Sequence, residues 1–503
     1  MKFDKNKYKE LNNILDDILN SKNSNFYTLA ISWLHIPKAH SIFLKKYSNL
    51  YLDNNFFFYI KLFNKLFYNL SKLFINFLLN LFNFGLKKNN LEISNNDILI
   101  ISHFLDPKFY NADKDFYFSD IDVASKSLNL KIKKIYFNYS KFNNNKIYEL
   151  FKKNSSYHNT KIFIKKTNII NFTNIIFNIL KESYRLFKLS LKKNDIERKI
   201  YLYSSIEAFE PKVLWNIVYS QQLRKILKIW NPKYLLLTYE GHAFERLFIN
   251  IAKNINKKII CCGYHQINHT KFQYSSIRKL KDNYNPDIIF TKSNKTKLFI
   301  QENTDLSNTQ IILLGQIKKK LDKKKSNLKL DLFKKKNLTI LLVPEGIDEE
   351  LNDFMNLVVN ISSRLKNINF IFRPHPIHYN MIKFLKDKFK KFSNIKISKM
   401  DSSDLINSDI MIYRGSSIIL DIFKFNLYPL YYESELSNYD PLFEINDLVD
   451  NFKNEKDLIS YINTNKYIEN IDKIEDIYDY CENYYNDFDE NLFYEFFLRS
   501  SID

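Results

Sequence analysis

Short runs of Ile, Leu and Val alternate along the chain with stretches in which apolar residues return every three or four positions. Strand-type runs lie at 27–34 (YTLAISWL), 97–102, 132–137, 199–204 (KIYLYS), 233–238, 257–262, 287–291 and 310–314. After a lysine-rich stretch the alternation restarts, with strand-type runs at 338–343, 369–373, 394–397, 409–413 and 428–432 and helical patterns at 347–366, 379–391 and 416–425. Runs apolar on both faces and separated by helices predict parallel sheets with right-handed crossovers. The organisation expected is α/β, with two Rossmann-like doubly wound domains facing a cleft. The first spans 1–316, a basic linker 317–337, and the second 338–450; acidic, Tyr-rich helices at 451–503 are expected to pack back across the first domain. The linker is strongly basic but lacks a series of aromatics on which bases could stack, so nucleic acid is not an expected partner.

Two helical patterns break the scheme and read as insertions in the first domain, at about 50–90 and 166–194. In 56–84, Lys61, Lys65, Asn69, Lys72, Asn76, Asn80 and Asn83 form one polar stripe opposite a broad Phe/Leu/Ile face, and no acidic residue occurs between Asp53 and Glu92. Residues 168–192 repeat the design with Asn171, Asn174, Asn178, Lys181, Arg185, Lys188 and Lys192. Two readings stay open: long helices packed in a core, or a basic amphipathic pair lying on an anionic membrane surface. Neither stretch suits a spanning helix, which needs roughly 20 mostly apolar residues.

Composition changes the weight of these signals. The chain has 503 residues but only 6 Gly, 10 Pro and 9 His, while residues with A/T-rich codons (Asn, Lys, Ile, Phe, Tyr) are in excess. A mutational bias of that kind inflates the formal charge of +21 with lysine, and makes the rare residues informative. A hydrophobic content of 45% excludes global disorder. Cys261, Cys262 and Cys481 form neither a disulfide framework nor a metal-ligand spacing, and the first residues lack the apolar core of a signal peptide. These features lead to the expectation of a cytoplasmic protein, peripheral on the inner membrane face.

The rare residues gather at predicted strand ends, where doubly wound sheets bind ligands. LLLTYEGHAFER leaves a strand at Thr238, IICCGYHQINH at Cys262, ILLVPEGIDEE at Val343, FIFRPHP at Arg373 and IMIYRGSSIILD at Tyr413. In the last, Gly415 permits a tight turn and Ser416 and Ser417 place hydroxyls beside the free N–H groups of a helix start, an arrangement suited to phosphate. Arg373 and His375 enter from a neighbouring strand end, and two prolines hold His375 rigidly as a phosphate donor or a leaving-group acid. Arg414, Glu345 and Gly346 complete the donor side. In the first domain, Glu240 follows a buried strand and is the candidate base for an acceptor hydroxyl, with His242, Glu245, Arg246, His265 and Gln266 on the acceptor side. No metal site and no cofactor are expected, since the histidines lack ligand spacing.

An acid–Gly motif in the first domain, His-Pro in the second and Ser-Ser opening a later helix resemble bacterial sialyltransferases and polysialyltransferases. Capsule Kdo transferases and glycerophosphate polymerases share the His-Pro and Ser-Ser elements. The Tyr-Glu-Gly-His and Gly-Tyr-His-Gln stretches look like uncharacterised bacterial surface-carbohydrate proteins. The resemblance spans roughly 230–435 and implies a GT-B fold with a nucleotide-bound donor in the second domain. It implies that Glu240 is the base, that His375 contacts the donor phosphate and that Ser416 and Ser417 bind it. Tyr239 stands where the sialyltransferases carry a further acid, so sialic acid is not implied. The expected activity is an inverting, metal-independent transfer of a sugar from a nucleotide sugar to a surface polysaccharide or lipid-linked glycan. Polyol-phosphate transfer, nucleotide-sugar epimerisation and a non-catalytic membrane scaffold are its alternatives.

Overall fold

A computed structural model describes residues 5–35, 50–51, 55–82, 97–105, 115, 117–128, 130–140, 142–153, 160–271, 274–304, 306, 308–316, 337–433 and 440–499. The first domain is built on β1 (Ile98–Phe104), β2 (Ile132–Asn138), β3 (Thr160–Ile162), β4 (Tyr234–Thr238), β5 (Ile260–His265), β6 (Ile288–Thr291) and β7 (Gln310–Leu313). These seven strands pair in the order β3-β2-β1-β4-β5-β6-β7, and every pair is parallel. The second domain carries β8 (Thr339–Val343), β9 (Asn369–Phe372), β10 (Ile395–Ile397), β11 (Ile410–Tyr413), β12 (Tyr428–Tyr432) and β13 (Asp450–Phe452), paired in parallel as β10-β9-β8-β11-β12-β13. Both sheets are doubly wound and Rossmann-like, in the GT-B-like arrangement that the strand pattern and motifs predict. Their strand order reverses between β1 and β4 in one and between β8 and β11 in the other, which are the crevices where such sheets take ligands.

Central strands are buried throughout, as their near-continuous Leu/Ile runs require: β4 and β11 expose none of their residues. Burying a Leu or Ile contributes about 1.5–3 kcal/mol, so these runs anchor both sheets and hold the strand ends in place.

Two expected strands are helices. At 27–34, Asn25 accepts from Tyr27 N and Thr28 N while Thr28 Oγ1 accepts from Asn25 N, and this capping box starts a helix at Phe26–Leu29, followed by a 3₁₀ turn at Ser32–His35. At 199–204 the chain lies inside the helix Asp195–Glu207, where Ile200 and Ser204 are buried one turn apart. The run at 257–262 starts late because Asn256 turns the chain by accepting from Lys258 N at 3.0 Å, and pairing with β6 carries β5 on to His265. The three-residue strands β3 and β13 are additions to the sequence reading.

The helix Asn55–Phe82 lies on helices Asp195–Glu207 and Pro211–Trp230. Part of its polar stripe faces inward: Lys65 reaches Glu207 at 2.8 Å and Asn69 donates to Ile206 O at 3.2 Å, beside buried Phe58, Leu62 and Leu73. Residues 83–90 of that insertion and 317–336 of the basic linker lie outside the described residues. No helix among the described residues is long and apolar enough to cross a membrane.

Two features join the domains. His269 Nε2 lies 2.9 Å from Glu444 Oε1, and its Nδ1 lies 3.1 Å from the Tyr484 hydroxyl. Hydrogen bonding to His269 is the largest influence holding the Glu444 carboxyl down, at about 2. Beyond Tyr484 the chain crosses back: Asn486 N donates to Lys292 O and Asp489 N to Leu314 O, and the rings of Phe493 and Phe497 enter the core beside Tyr234 and Phe290.

Candidate functional site

A cavity of about 450 Å³ opens at the crevice between β1 and β4, within the size range of small-molecule sites. His103 and Leu105 enter from the end of β1, Phe137 to Tyr139 from β2, and Thr238, Glu240 and His242 from β4. Trp215 and Tyr219 come from the helix Pro211–Trp230, Tyr117 from the loop after β1, and Ile377 from the Arg-Pro-His-Pro loop of the second domain. The wall mixes aromatic rings with polar groups, among them Asn138, Lys165, Lys212 and Asn216.

Glu240 and His242 form a carboxylate–imidazole pair in that wall. Oε2 of Glu240 lies 3.2 Å from Nε2 of His242, and each side chain keeps about a quarter of its surface exposed (25% and 28%). Their loop is held from behind by buried groups. Glu245 Oε2 accepts from Glu240 N at 2.9 Å and His242 N at 2.8 Å. Arg246 donates to Gly241 O, to Ser275 O at 2.5 Å and to His35 Nδ1 at 3.3 Å, and Ser275 Oγ donates to Glu240 O at 2.6 Å. Gly241 has φ +83°, and a Cβ there would stand 2.1 Å from Ser275 O, so both the turn and the close approach require glycine. Burial pushes the Glu245 carboxyl up to about 7, and burial pushes the His103 imidazole down to about 4 despite the nearby Glu240 charge.

Of the acceptor-side candidates, Glu240, His242 and Glu245 line the cavity. Arg246 is fully buried and acts on the loop rather than in the cavity. His265 is buried within β5, and Gln266 donates to Tyr117 O at 2.7 Å, bracing the cavity wall. Tyr239 is fully buried with its hydroxyl toward Asn285, away from the cavity.

In the second domain the loops after β9, β8 and β11 stand side by side because those strands are neighbours. His375 caps the turn Pro376–Met381: its Nδ1 accepts from Ile377 N at 3.3 Å, which assigns the proton to Nε2. Burial lowers its pKa to about 4, so at neutral pH His375 is an uncharged Nε2–H donor. Gly346 packs against it; a Cβ at Gly346 would lie 2.8 Å from His375 Nδ1 and 3.1 Å from Ile377 Cγ2. Ile377 thus links Gly346 and His375 to the cavity that holds Glu240.

Ser416 and Ser417 open the turn Ser417–Lys424, and the Ser416 side chain makes no capping bond there. Glu350, which the sequence reading missed, is buried behind them. It accepts from Glu345 N at 2.9 Å, and the Gly415 backbone hydrogen-bonds it as well. It fixes the loops after β8 and β11 to each other as Glu245 fixes the first-domain loop. Both arginines are engaged inside the domain. Arg373 donates to Asp401 O at 2.7 Å and to Asp404 at 3.3 Å; Arg414 donates to Tyr432 O at 3.0 Å, lies 4.2 Å from the Tyr432 ring centre and reaches Asp353 at 3.3 Å. No group of three His, Cys, Asp or Glu that could hold a metal occurs among the described residues.

No protein-family model matches the chain, and no curated protein matches it. Solved structures with a similar chain path include a UDP-GlcNAc 2-epimerase from Neisseria meningitidis bound to UDP-GlcNAc, at 12% identity and a TM-score of 0.47, covering 80% of this chain and 100% of that one. Another is a UDP-GlcNAc 2-epimerase from Methanocaldococcus jannaschii, at 13% identity and 0.44, covering 81% and 99%. The lipopolysaccharide outer core galactosyltransferase WaaB aligns at 10% identity and 0.42, covering 80% and 99%. The two-domain architecture stands on strand order and register rather than on these likenesses.

Proposed function

We propose that the protein is a GT-B-type glycosyltransferase that moves a sugar from a nucleotide-sugar donor to a glycan or lipid-linked acceptor. One observation carries the reading: a carboxylate–imidazole pair, Glu240 and His242, stands in an aromatic cavity that Ile377 of the Arg-Pro-His-Pro loop shares. Aromatic faces suit the C–H faces of a sugar, and an exposed carboxylate beside them suits removal of a hydroxyl proton.

In this reading Glu240 takes the proton of an acceptor hydroxyl as its oxygen bonds to the anomeric carbon of the donor. The bond from that carbon to the nucleotide phosphate breaks, and the electron pair leaves on the phosphate oxygen. One direct displacement inverts the sugar carbon. His375 Nε2–H and the hydroxyls of Ser416 and Ser417 meet the departing charge without a metal. An imidazole with a pKa near 4 acts there as a hydrogen-bond donor rather than a proton source. Arg373 and Arg414 hold the loops. The acceptor belongs to a surface polysaccharide such as a capsule or lipopolysaccharide, assembled on the cytoplasmic side of a membrane.

The test is a thermal-shift screen with CMP, CDP, UDP, GDP and their sugars, followed by a transfer assay with the best binder. A nucleotide that raises the melting temperature, and whose sugar moves only when an acceptor is supplied, supports the reading. Conversion of the nucleotide sugar to an epimer without acceptor replaces it with epimerisation. Nucleotide binding with no chemistry replaces it with a scaffold.

A further inference from the structure

An amphipathic helix on a protein surface normally turns its apolar face to the core. The helix Asn55–Phe82 turns much of its apolar face outward. Phe56, Phe63, Phe67 and Phe74 are 66%, 69%, 69% and 61% exposed, while Asn69 on the polar stripe is 1% exposed. Its neighbour, the helix Ile169–Ser190, meets it where Phe77 and Phe172 touch, with ring centres 5.3 Å apart, and adds exposed Ile170, Phe177 and Phe187. Exposed apolar side chains on this scale mark a place where something docks.

We propose that this face docks on a lipid bilayer carrying anionic headgroups. Charge selects that occupant. The helix Asn55–Phe82 has no acidic residue, and the one acid of its neighbour, Glu182, is buried and bound by Arg185 at 2.8 Å and Thr28 at 2.6 Å. Lysines edge the face. On the helix Ile169–Ser190, Lys181 and Lys188 share a face with Ile170 and Phe177, and Lys188 sits over the Tyr184 ring at 4.7 Å. Amphipathic side chains in that arrangement bury their stems and rings while the ammonium groups reach headgroup phosphates. A second copy of the same face would bring lysine against lysine. At 28 residues the helix is roughly 42 Å long, and it lies in the interface plane rather than across it.

Docking also orients the cavity. Lys165 on its rim is four residues before Ile169, and the helix that contributes Trp215 and Tyr219 is tied to the docking helix by Asn171 Nδ2 donating to Gln221 Oε1 at 2.6 Å. The inference rests on this face alone and does not depend on the glycosyl-transfer reading.

Co-sedimentation of the full chain with vesicles tests it. The protein should pellet with phosphatidylglycerol-containing vesicles at low salt, and far less with pure phosphatidylcholine. Changing Phe63, Phe67 and Phe74 together to Ser should leave the melting temperature in place and weaken binding more than tenfold. The pair Lys181→Glu and Lys188→Glu should also weaken it more than tenfold, since each lysine near the surface contributes about fivefold. A wild type that stays in the supernatant with anionic vesicles at low salt overturns the inference. So does a dimer in solution that the triple Ser variant splits while vesicle binding is unchanged.

Discussion

The carboxylate of Glu240 and the imidazole of His242 lie 3.2 Å apart on the Gly241 turn, aimed into an aromatic cavity rather than into the core. Replacing Glu240 by Gln keeps the shape and removes the base. Sugar transfer should fall by about 10²–10⁴, nucleotide binding should persist, and the melting temperature should hold. Equal transfer by wild type and variant would remove Glu240 from the chemistry.

His375 and Gly346 make a second pair. His375→Ala should lower turnover by about 10²–10³, the cost of losing one donor aimed at developing charge. Gly346→Ala tests the geometry separately: its Cβ would meet His375 Nδ1 and Ile377, so the ring must shift. Transfer should drop with little loss of stability, whereas a histidine with only a packing role would leave the rate alone.

Gly241→Ala should damage the fold as well as the site. Left-handed backbone strain costs about 1–3 kcal/mol, and the added methyl carbon would collide with the Ser275 carbonyl. A chemical denaturation midpoint unchanged from wild type would contradict the described turn.

Glu245 gives a pH signature. Its folded pKa, about 7, stands above the ordinary carboxylate value, so the folded state holds the proton more tightly than the unfolded state. Its contribution to stability is therefore greatest below about pH 4.3 and declines as pH rises toward about 7. His103 and His375, both lowered to about 4, act oppositely: stability is lost as pH falls from about 6.5 toward 4. The wild-type curve mixes these trends. The difference between wild type and Glu245→Gln isolates the first and should slope between about pH 4.5 and 7; a flat difference contradicts the burial of this carboxyl.

Both sheets were legible from sequence because a buried parallel strand leaves a signal that composition bias does not erase, as Leu235–Leu237 and Ile410–Ile412 show. Local capping was less legible: the capping box at Asn25 overrode a strand-like run. The cavity was half legible. Glu240, His242 and Glu245 stood out because Gly and His are scarce, and His103 carries the same rarity signal at the end of β1, the strand next to β4. Tyr219 and Tyr117 were lost among the chain's 34 tyrosines, while Trp215, one of only 3 tryptophans, lies inside a helix rather than at a strand end. Glu350 could not be found from spacing, because its role is to join two loops distant in sequence. Arg373 and Arg414 show what spacing cannot: Asp401, Asp404, Asp353 and Tyr432 engage some of their donors within the domain.

The most direct measurement follows nucleotide release and sugar transfer together, for the best-binding nucleotide sugar, in wild type and in the Glu240→Gln and His375→Ala variants. The account predicts that wild type releases one nucleotide per sugar transferred and depends on acceptor. It also predicts that both variants bind the donor yet transfer at least about a hundredfold more slowly. Acceptor-independent interconversion of the nucleotide sugar, or variants that match wild type, would contradict it.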